Sequence, residues 1–517
     1  MYNCFIQNTI GIKPLIGYNK RMKEIEKKLI NWQKTTMEKP EFGFVQKIIV
    51  RFAKAEIYLV GGAVRDLILE KETKDFDFVI AKVDAKELEK FLATLGEVNL
   101  VGKSFGVYKF VPKDFKIEAF DIALPRTEHA GMSGGYKDFE IQSNKDLPIT
   151  EDLARRDFTI NALAWDLKNQ KIIDEFNGLK DLDKRIIKAI GEPEQRFQED
   201  YSRMLRAIRF FCQLNFEIEK DTLETIKLKA DKISQISSER ICDEFTKIIM
   251  SNKAEDGIRL MQKIGLLKIL IPELERGVGM EQNKAHIYDI FEHSVRALGV
   301  AAEKNFKLEI RLAALFHDIG KPVTKEGDGP DSTFYNHDLV GAKLVKTILR
   351  RLNFSNEIIN SVYHLVRYHM FYYALDTVSD AGVRRLLHRL GPENIDDFIN
   401  VRICDRLGMG RPKAKPWKLI QLERRFKEVQ LEPITPKMLK MNGTELMELL
   451  EIKPGPRVGM ILNALLGEVL EDPKKNEKEY LNKRTIELNK LTDEELKKLH
   501  PDVKFYEEEQ KRMIHEE

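Results

Sequence analysis

The sequence predicts an α+β fold, a small mixed-sheet head followed by an elongated all-helical body. Between Tyr58 and about Asp166, the runs IYLVGG, FDFVI, GVYKFV and KIEAFDIAL are short, rich in β-favouring residues and bounded by Gly, Lys or Asp clusters. From about Asp174 onward that signal nearly vanishes and amphipathic helical periodicity replaces it. The length of 517 residues exceeds what one core holds, and ordinary domain sizes imply about three or four units. Joints are expected at 177–191, 277–284 and the Pro/Lys-rich stretch beginning at Arg411.

Bulk properties exclude several classes. A net charge of +3 admits a nucleic-acid partner without arguing for one, because any basic surface must be local. Cys4, Cys212, Cys242 and Cys404 are scattered with no CxxC pair, which speaks against a disulfide framework or a cysteine zinc knuckle and fits a reducing cytoplasm. An apolar run of about 18 residues, the length a membrane span needs, is absent, so no membrane partner is expected. The opening MYNCFIQNTIGIKPLIGYNKR has no basic start followed by an apolar core, and helical pattern sets in with KEIEKKLINWQK after Met22. Residues 1–21 therefore read as an extension or a mis-assigned start.

The most informative segment is LVGGAVRDLILEKETKDFDFVI, residues 59–80. A strand runs into Gly61-Gly62, a helix begins near Ala63 with Arg65-Asp66, and a second strand carries Asp75 and Asp77. Adjacent glycines let backbone approach a ligand, and amides there and at the helix start can hold a triphosphate. Strand residues two apart point to one face, so Asp75 and Asp77 form a paired hard-oxygen site suited to magnesium. In KIEAFDIALPRTE, Asp121 is the preferred third carboxylate and Glu118 the competing one.

Residues 58–126 resemble the nucleotidyltransferase superfamily, specifically the bacterial tRNA CCA-adding and poly(A) polymerase family (class II). The resemblance continues in order through RRDFTINALAWD (155–166), EDYSRMLRAIRFF (199–211) and SSERICDEFTKII (237–249), and extends overall from about Val45 to Thr485. It implies template-independent addition of CCA to tRNA from CTP and ATP. Poly(A) polymerases and CC-only or A-only tRNA enzymes share these motifs. By the same resemblance Asp157 and Asn161 meet the incoming ribose, Arg156 lies near the phosphates, and Arg240 holds the nucleotide-binding helices together with Glu239 and Glu244 as partners.

Within EDYSRMLRAIRFF, helical spacing makes Asp200 and Arg203 neighbours at i and i+3, and sets Arg203, Arg206 and Arg209 in one stripe. A carboxylate only accepts hydrogen bonds and a guanidinium only donates them. Together they match an exocyclic amine beside an unprotonated ring nitrogen, which cytosine offers at N4/N3 and adenine at N6/N1. Uracil and guanine offer the inverse and would leave both groups mispaired. The Gly-rich stretch between Arg126 and Thr150 reads as a loop beside this site.

A second constellation occupies residues 286–405. It contains His286 and His293, His317-Asp318 ahead of Gly320-Lys321-Pro322, His337, His364, His369 and Asp405. It resembles an HD metal-dependent phosphohydrolase domain, which implies His293, His317, Asp318 and Asp405 as ligands of a transition-metal ion. His337 with one of His364 or His369 would complete a second position. A phosphohydrolase acting on RNA 2′,3′-cyclic phosphate ends is the alternative reading of the whole chain. The resemblance also places a tRNA-gripping helical tail around residues 438–476, where Arg457 in PGPRVG would hold a phosphate or mark a helix–helix joint. The expected organisation is extension 1–21, nucleotidyltransferase head 22–166, helical neck 167–276, HD domain 277–410, helical tail 411–490 and charged terminus 491–517.

Overall fold

A computed structural model describes residues 13–73, 75–101, 107–129, 140–282, 287–370 and 379–501. The chain divides into two compact units, one of residues 1–248 with 260–270, the other of 249–259 with 271–517.

The first unit opens with α1 (Lys13–Met37) and α2 (Gly43–Arg51). Helix α1 runs unbroken through Met22, so the backbone marks no boundary there. A seven-stranded sheet follows, in the order β3-β4-β5-β2-β1-β8-β9. These strands are β1 (Glu56–Val60), β2 (Asp77–Ala81), β3 (Gly96–Val101), β4 (Val107–Pro112), β5 (Phe120–Ala123), β8 (Ala164–Asp166) and β9 (Lys171–Ile173). β2 and β5 are parallel and the other pairs antiparallel, which makes the sheet mixed. Two helices interleave with it, α3 (Gly62–Ile68) and α4 (Ala85–Leu95). Asp84 caps α4 by accepting from the amides of Lys86 and Glu87.

Apolar residues hold the sheet from both sides. Phe44 of α2 meets Phe78, Phe110 and Phe120 at ring separations of 5.6, 5.0 and 5.0 Å, while Tyr58, Val60, Val79 and Ala164 pack with Leu153 and Ile190. The register decides where function gathers. Val60 faces both Asp77 and Ala164, and Asp77 faces Asp121. The Gly61-Gly62 turn, two of the carboxylates and the segment before β8 thus share one end of the sheet.

The stretch between Arg126 and Thr150, expected to be a loop, is in part a ribbon. β6 (Arg126–His129) pairs with β7 (Glu140–Ser143), and residues 130–139 lie outside the described region. Helix α5 (Ile149–Ala154) then leads to β8. The helical neck comprises α6 (Gly178–Lys184), α7 (Pro193–Glu199), α8 (Ser202–Leu214), α9 (Lys220–Leu228) and α10 (Ser238–Ile249). Strand structure does not end at Asp174, because Ile186–Ile187 pairs with Glu217–Ile218.

Short helices α11 (Ala254–Lys263), α12 (Leu266–Leu270) and α13 (Pro272–Glu275) lie where the chain divides. The second unit is helical, with α14 (Ile290–Glu303), α15 (Leu308–Phe316), α16 (Lys321–Thr324), α17 (His337–Arg351), α18 (Asn356–Tyr368), α19 (Asp380–Leu390) and α20 (Ile395–Gly408), followed by the tail helices. In that tail Arg457 donates to the side chain and carbonyl of Asn489 and to the carbonyl of Leu491, and pairs with Asp493. Its guanidinium therefore closes a helix–helix joint.

Arg311 of α15 is fully buried and donates to the carbonyls of Phe306, Ile249 and Ser251 and to Asn305 Oδ1. It ties residues 249–251 to the second unit. Replacing Arg311 with Met leaves those carbonyls without a donor at a cost of about 3 kcal/mol or more, and should lower the urea midpoint of this unit.

Candidate active site and second metal centre

The head site begins where β1 ends. Gly61 has φ +70°, and a Cβ there would stand 2.4 Å from the Arg156 guanidinium. Glycine is needed for both the backbone angle and the space. Gly62 opens α3, whose Arg65 is buried, donates to Asp66 at 2.8 and 2.9 Å and to Asn161 Oδ1 at 2.6 Å. Asn161 in turn donates to Asp157 Oδ1 at 3.0 Å, and Arg206 of α8 donates to Asp157 Oδ2 at 2.8 Å. One chain of hydrogen bonds thus joins α3, the turn before β8 and α8. Burial would raise the Asp157 carboxyl, but Arg206 and Asn161 outweigh it and hold the group well below the usual carboxylate range.

Asp75, Asp77 and Asp121 lie on one wall of the same cavity, of about 570 Å³. β2 begins at Asp77, so Asp75 stands in the lead-in to the strand and not on it as expected. Of the two candidates for a third carboxylate, Asp121 lines this cavity and Glu118 lines a different one. Burial pushes the Asp77 carboxyl up to about 6, with Arg156 opposing and Asp75 and Asp121 adding to the rise. Lys109 of β4, directly across from Asp121, donates to it at 2.7 Å. Carboxylates gathered on one cavity wall, one of them raised by burial and further by its neighbours, are a donor set suited to a hard divalent cation.

Gly62, Arg65, Arg156, Asp157, Asn161, Asp200, Arg203, Arg206, Arg209 and Arg240 also border this cavity, joined by Arg155 and Lys247, whereas Gly61, Glu239 and Glu244 do not line it. Arg155 and Arg156 both pair with the fully buried Asp152, at 2.7 and 3.2 Å, and Arg156 Nε is buried with no partner among the described residues. On α8, Arg209 bonds Glu244 at 3.0 Å. Burial and the neighbouring Arg206 push Arg209 down to about 10. The Phe210 ring lies within 5.0, 5.7 and 4.4 Å of Arg65, Arg206 and Arg209.

The expected i, i+3 pair of Asp200 and Arg203 does not form. α8 begins at Ser202, and Asp200 is extended, so helical neighbour geometry does not apply to it. Asp200 accepts from Arg240 at 2.6 Å and from the Ser202 amide at 3.0 Å. Burial alone would raise its carboxyl, but the Arg240 contact holds it low, so it stays an ionised acceptor. Arg203 pairs with Glu199 at 2.6 Å and donates to the carbonyls of Arg196 and Arg155. Glu199, Lys109 and Asp152 are partners that sequence reasoning did not single out. Lys109 becomes legible only once β4 is known to pair with β5.

In the second unit, α14 carries His293, His317-Asp318 follows α15, His337 opens α17, His369 follows α18 and Asp405 sits on α20. His293 Nε2 lies 2.9 Å from His317 Nε2 and 3.3 Å from Asp405. Asp318 bridges the cluster. Its Oδ2 is 3.3 Å from both His293 and His317, and its Oδ1 is 3.5 Å from His337 and 3.6 Å from His369. The donors fall into two triplets, His293/His317/Asp405 and Asp318/His337/His369. His369 is therefore the fourth histidine; His364 is in ring contact with Tyr363 and Tyr368 instead, and His286 lies outside the described residues.

His317, His337 and His369 turn Nδ1 toward the carbonyls of Ala314, Phe334 and Val366, which aims each Nε2 inward. Nε2 of His337 and of His369 is buried without a hydrogen bond among the described residues. Burial would lower His317, yet Asp318 and Asp405 raise it to about 10, the response of a cage built to stabilise positive charge. Imidazole and carboxylate donors so arranged fit one or two divalent ions.

A mixed sheet bearing carboxylates at the edge of an arginine-lined cleft defines a metal-dependent nucleotidyltransferase, here joined to an HD-type metal centre. Comparison with known proteins agrees for the head, the neck and the HD-type region. Residues 57–188 match the poly A polymerase head domain, 215–277 the probable RNA and SrmB-binding site of polymerase A, and 290–408 the HD domain. The chain is 33% identical to an A-adding tRNA nucleotidyltransferase of Deinococcus radiodurans, over 80% of this chain and 92% of that one. It is 31% identical to a multifunctional CCA protein of Nitrosospira multiformis, over 70% and 85% respectively. A Bacillus stearothermophilus CCA-adding enzyme solved in complex with CTP superposes with a TM-score of 0.61 at 26% identity, over 87% of this chain and 98% of that one. The chain belongs to the tRNA nucleotidyltransferase and poly(A) polymerase family.

Gly61→Ala should strain the backbone at φ +70°, lowering the melting temperature by a few degrees, and displace the Arg156 guanidinium, weakening nucleoside triphosphate binding by roughly tenfold if that group meets the phosphates. Equilibrium binding beside a melting curve checks both halves.

Proposed function

We propose that this chain completes transfer RNA by adding C, C and A to the 3′ end from CTP and ATP, without a nucleic-acid template. The observation that carries the reading is an ionised acceptor, Asp200, and a fixed donor, Arg203, in the same cavity as the three carboxylates. Arg203 is held by Glu199 and two carbonyls through its terminal nitrogens. Its remaining N–H groups suit the ring nitrogen of cytosine or adenine, while Asp200 accepts from the exocyclic amine. Direct pairing of the two side chains is not required, only that both face one base. Arg240, by holding Asp200, would keep the acceptor in register.

Asp157 and Asn161 would take the ribose hydroxyls. Arg156 and the backbone at Gly61-Gly62 would take the phosphates, with Arg155 adding charge. Asp75 and Asp77 would hold magnesium, and Asp121 would complete the carboxylate wall. Magnesium, when bound, supplies Lewis acidity to the attacking 3′-hydroxyl and the departing pyrophosphate. The tRNA itself would extend over the helical tail, and the reaction belongs in the cytoplasm. In the second unit, His293, His317, Asp318 and Asp405, with His337 and His369 beside them, would hold transition-metal ions. Those ions, when bound, would supply Lewis acidity toward phosphate esters at RNA ends, including 2′,3′-cyclic phosphates.

With magnesium and a tRNA ending at the discriminator base, CTP and ATP together should yield C, C, A and then stop, with Asp75→Ala and Asp77→Ala inactive. Two C residues only, a single A only on a CC-ending tRNA, or long A tails would each replace the reading with the corresponding partial or poly(A) activity.

His317→Ala should strip metal from the second unit and abolish phosphodiesterase activity while leaving nucleotide addition within about twofold, since the two centres share no ligand. Metal analysis and both assays on one preparation test this. Survival of phosphodiesterase activity would overturn it.

A further inference from the structure

The carboxylates that face the nucleotide cavity stand on backbone whose reverse side is aromatic. Phe76 lies between Asp75 and Asp77. They line the nucleotide cavity, whereas Phe76 lines a second cavity of about 610 Å³ with Trp32, Phe42 and Phe120. Alternation along an extended segment produces this division. Asp75 and Phe76 precede β2 and so lie outside the strand ladder that fixes Asp77. The Phe76 carbonyl also accepts from the amide of Asp121 at 3.4 Å. One residue thus touches the placement of all three carboxylates.

What holds Phe76 comes from far upstream. Trp32 of α1 stacks on its ring with centroids 6.0 Å apart and planes 25° apart, and Phe42 meets it edge-on at 5.2 Å. Phe42 is also 5.0 Å from Phe120, the neighbour of Asp121. The helix bearing Trp32 is itself anchored. Ile25 and Leu29 are buried, and Gln33 accepts from Trp165 Nε1 and donates to the Leu167 carbonyl, both at 2.8 Å. Trp32 and Phe42 lie ahead of residue 57, where the match to the poly A polymerase head domain begins.

We propose that Trp32 is a positioning residue that, by clamping Phe76 from behind, holds Asp75 and Asp77 at the separation a divalent ion requires. The inference rests on reading the head as a nucleotidyl-transfer site, and it deepens that reading by assigning helix α1 a part in metal binding. Trp32 lines the second cavity and not the nucleotide cavity, so its effect should fall on metal dependence and not on nucleotide recognition. Asp157, Asn161 and Arg206 are held by their own hydrogen-bond chain on other elements.

The test uses the full chain with Trp32→Ala, Trp32→Leu and Trp32→Phe. Single-nucleotide addition to tRNA is followed as magnesium is titrated, and hydrogen–deuterium exchange is read at amides 75–79. Loss of the ring stack should raise half-saturating magnesium by about three- to tenfold, the range that an aromatic pair's coupling implies. The KM for CTP should move less than twofold, and Trp32→Phe should restore the wild-type titration. Exchange at 75–79 should quicken in Trp32→Ala, its magnesium protection shifting to higher concentration, with exchange in α15 unchanged. If Trp32→Ala does not fold, Trp32→Leu, apolar but not aromatic, gives the same comparison against Trp32→Phe. Unaltered magnesium dependence and exchange in the Ala or Leu variant would overturn the proposal, as would parallel losses in kcat and KM that Phe does not rescue. A wild-type protein that adds no nucleotide would instead overturn the reading of the head, and the exchange measurement would still decide the brace.

Discussion

A guanidinium taken out of water must find its partners inside the protein, and that constraint organises the head. Arg65 is buried beneath the nucleotide cavity and meets it by bonding Asp66 on its own helix and Asn161 on the turn before β8. Asn161 orients Asp157, and Asp157 orients Arg206. Because each member satisfies the next, the sheet end, the turn and α8 are held in one arrangement before any ligand arrives. Polar networks of this kind are costly if half satisfied and rigid if complete. The aromatic ring of Phe210 beneath three arginines serves the same end, giving the cations a partner that carries no charge.

The two candidate metal centres reach a cation-ready state by opposite routes. In the head, strand register sets Asp77 beside Asp121, and burial, with repulsion from Asp75 and Asp121 adding to it, drives Asp77 toward protonation. A cation relieves that repulsion. In the second unit four imidazoles converge on one carboxylate, and backbone carbonyls at the preceding turns fix the tautomer of three of them. Asp318, between the two triplets, is held far below the usual carboxylate range by His317 and Lys321 despite its burial. The first centre suits hard oxygen chemistry and exchangeable ions; the second suits borderline metals held more tightly.

Much of this was legible in the chain because it depends on local chemistry. The Gly61-Gly62 turn, the alternation that sends Asp75 and Asp77 to one side, and the His317-Asp318 pair at a helix end are all short-range patterns. Errors arose where a local rule met a boundary. The i, i+3 rule failed for Asp200 because the helix starts two residues later, and the joint that Arg457 makes could not be read locally because its partners Asn489 and Asp493 lie some thirty positions onward. The Gly-rich stretch after Arg126 hid a ribbon because neither of its strands alternates clearly enough to announce itself.

By itself, then, the sequence determined the kind of chemistry at each centre, since side-chain type and near-neighbour spacing are properties of the chain alone. It also carried the division into a sheet-bearing head and a helical body, since hydrophobic period is local. Tertiary structure decided which groups serve each other. It selected Asp121 over Glu118 and His369 over His364, assigned Glu199 to Arg203, Lys109 to Asp121 and Gln33 to Trp165, and brought Trp32 behind Phe76. Most of those choices turn on contacts between residues far apart in the chain, which only the folded backbone brings together, and where they are buried each charge and polar group must find its partner inside the protein.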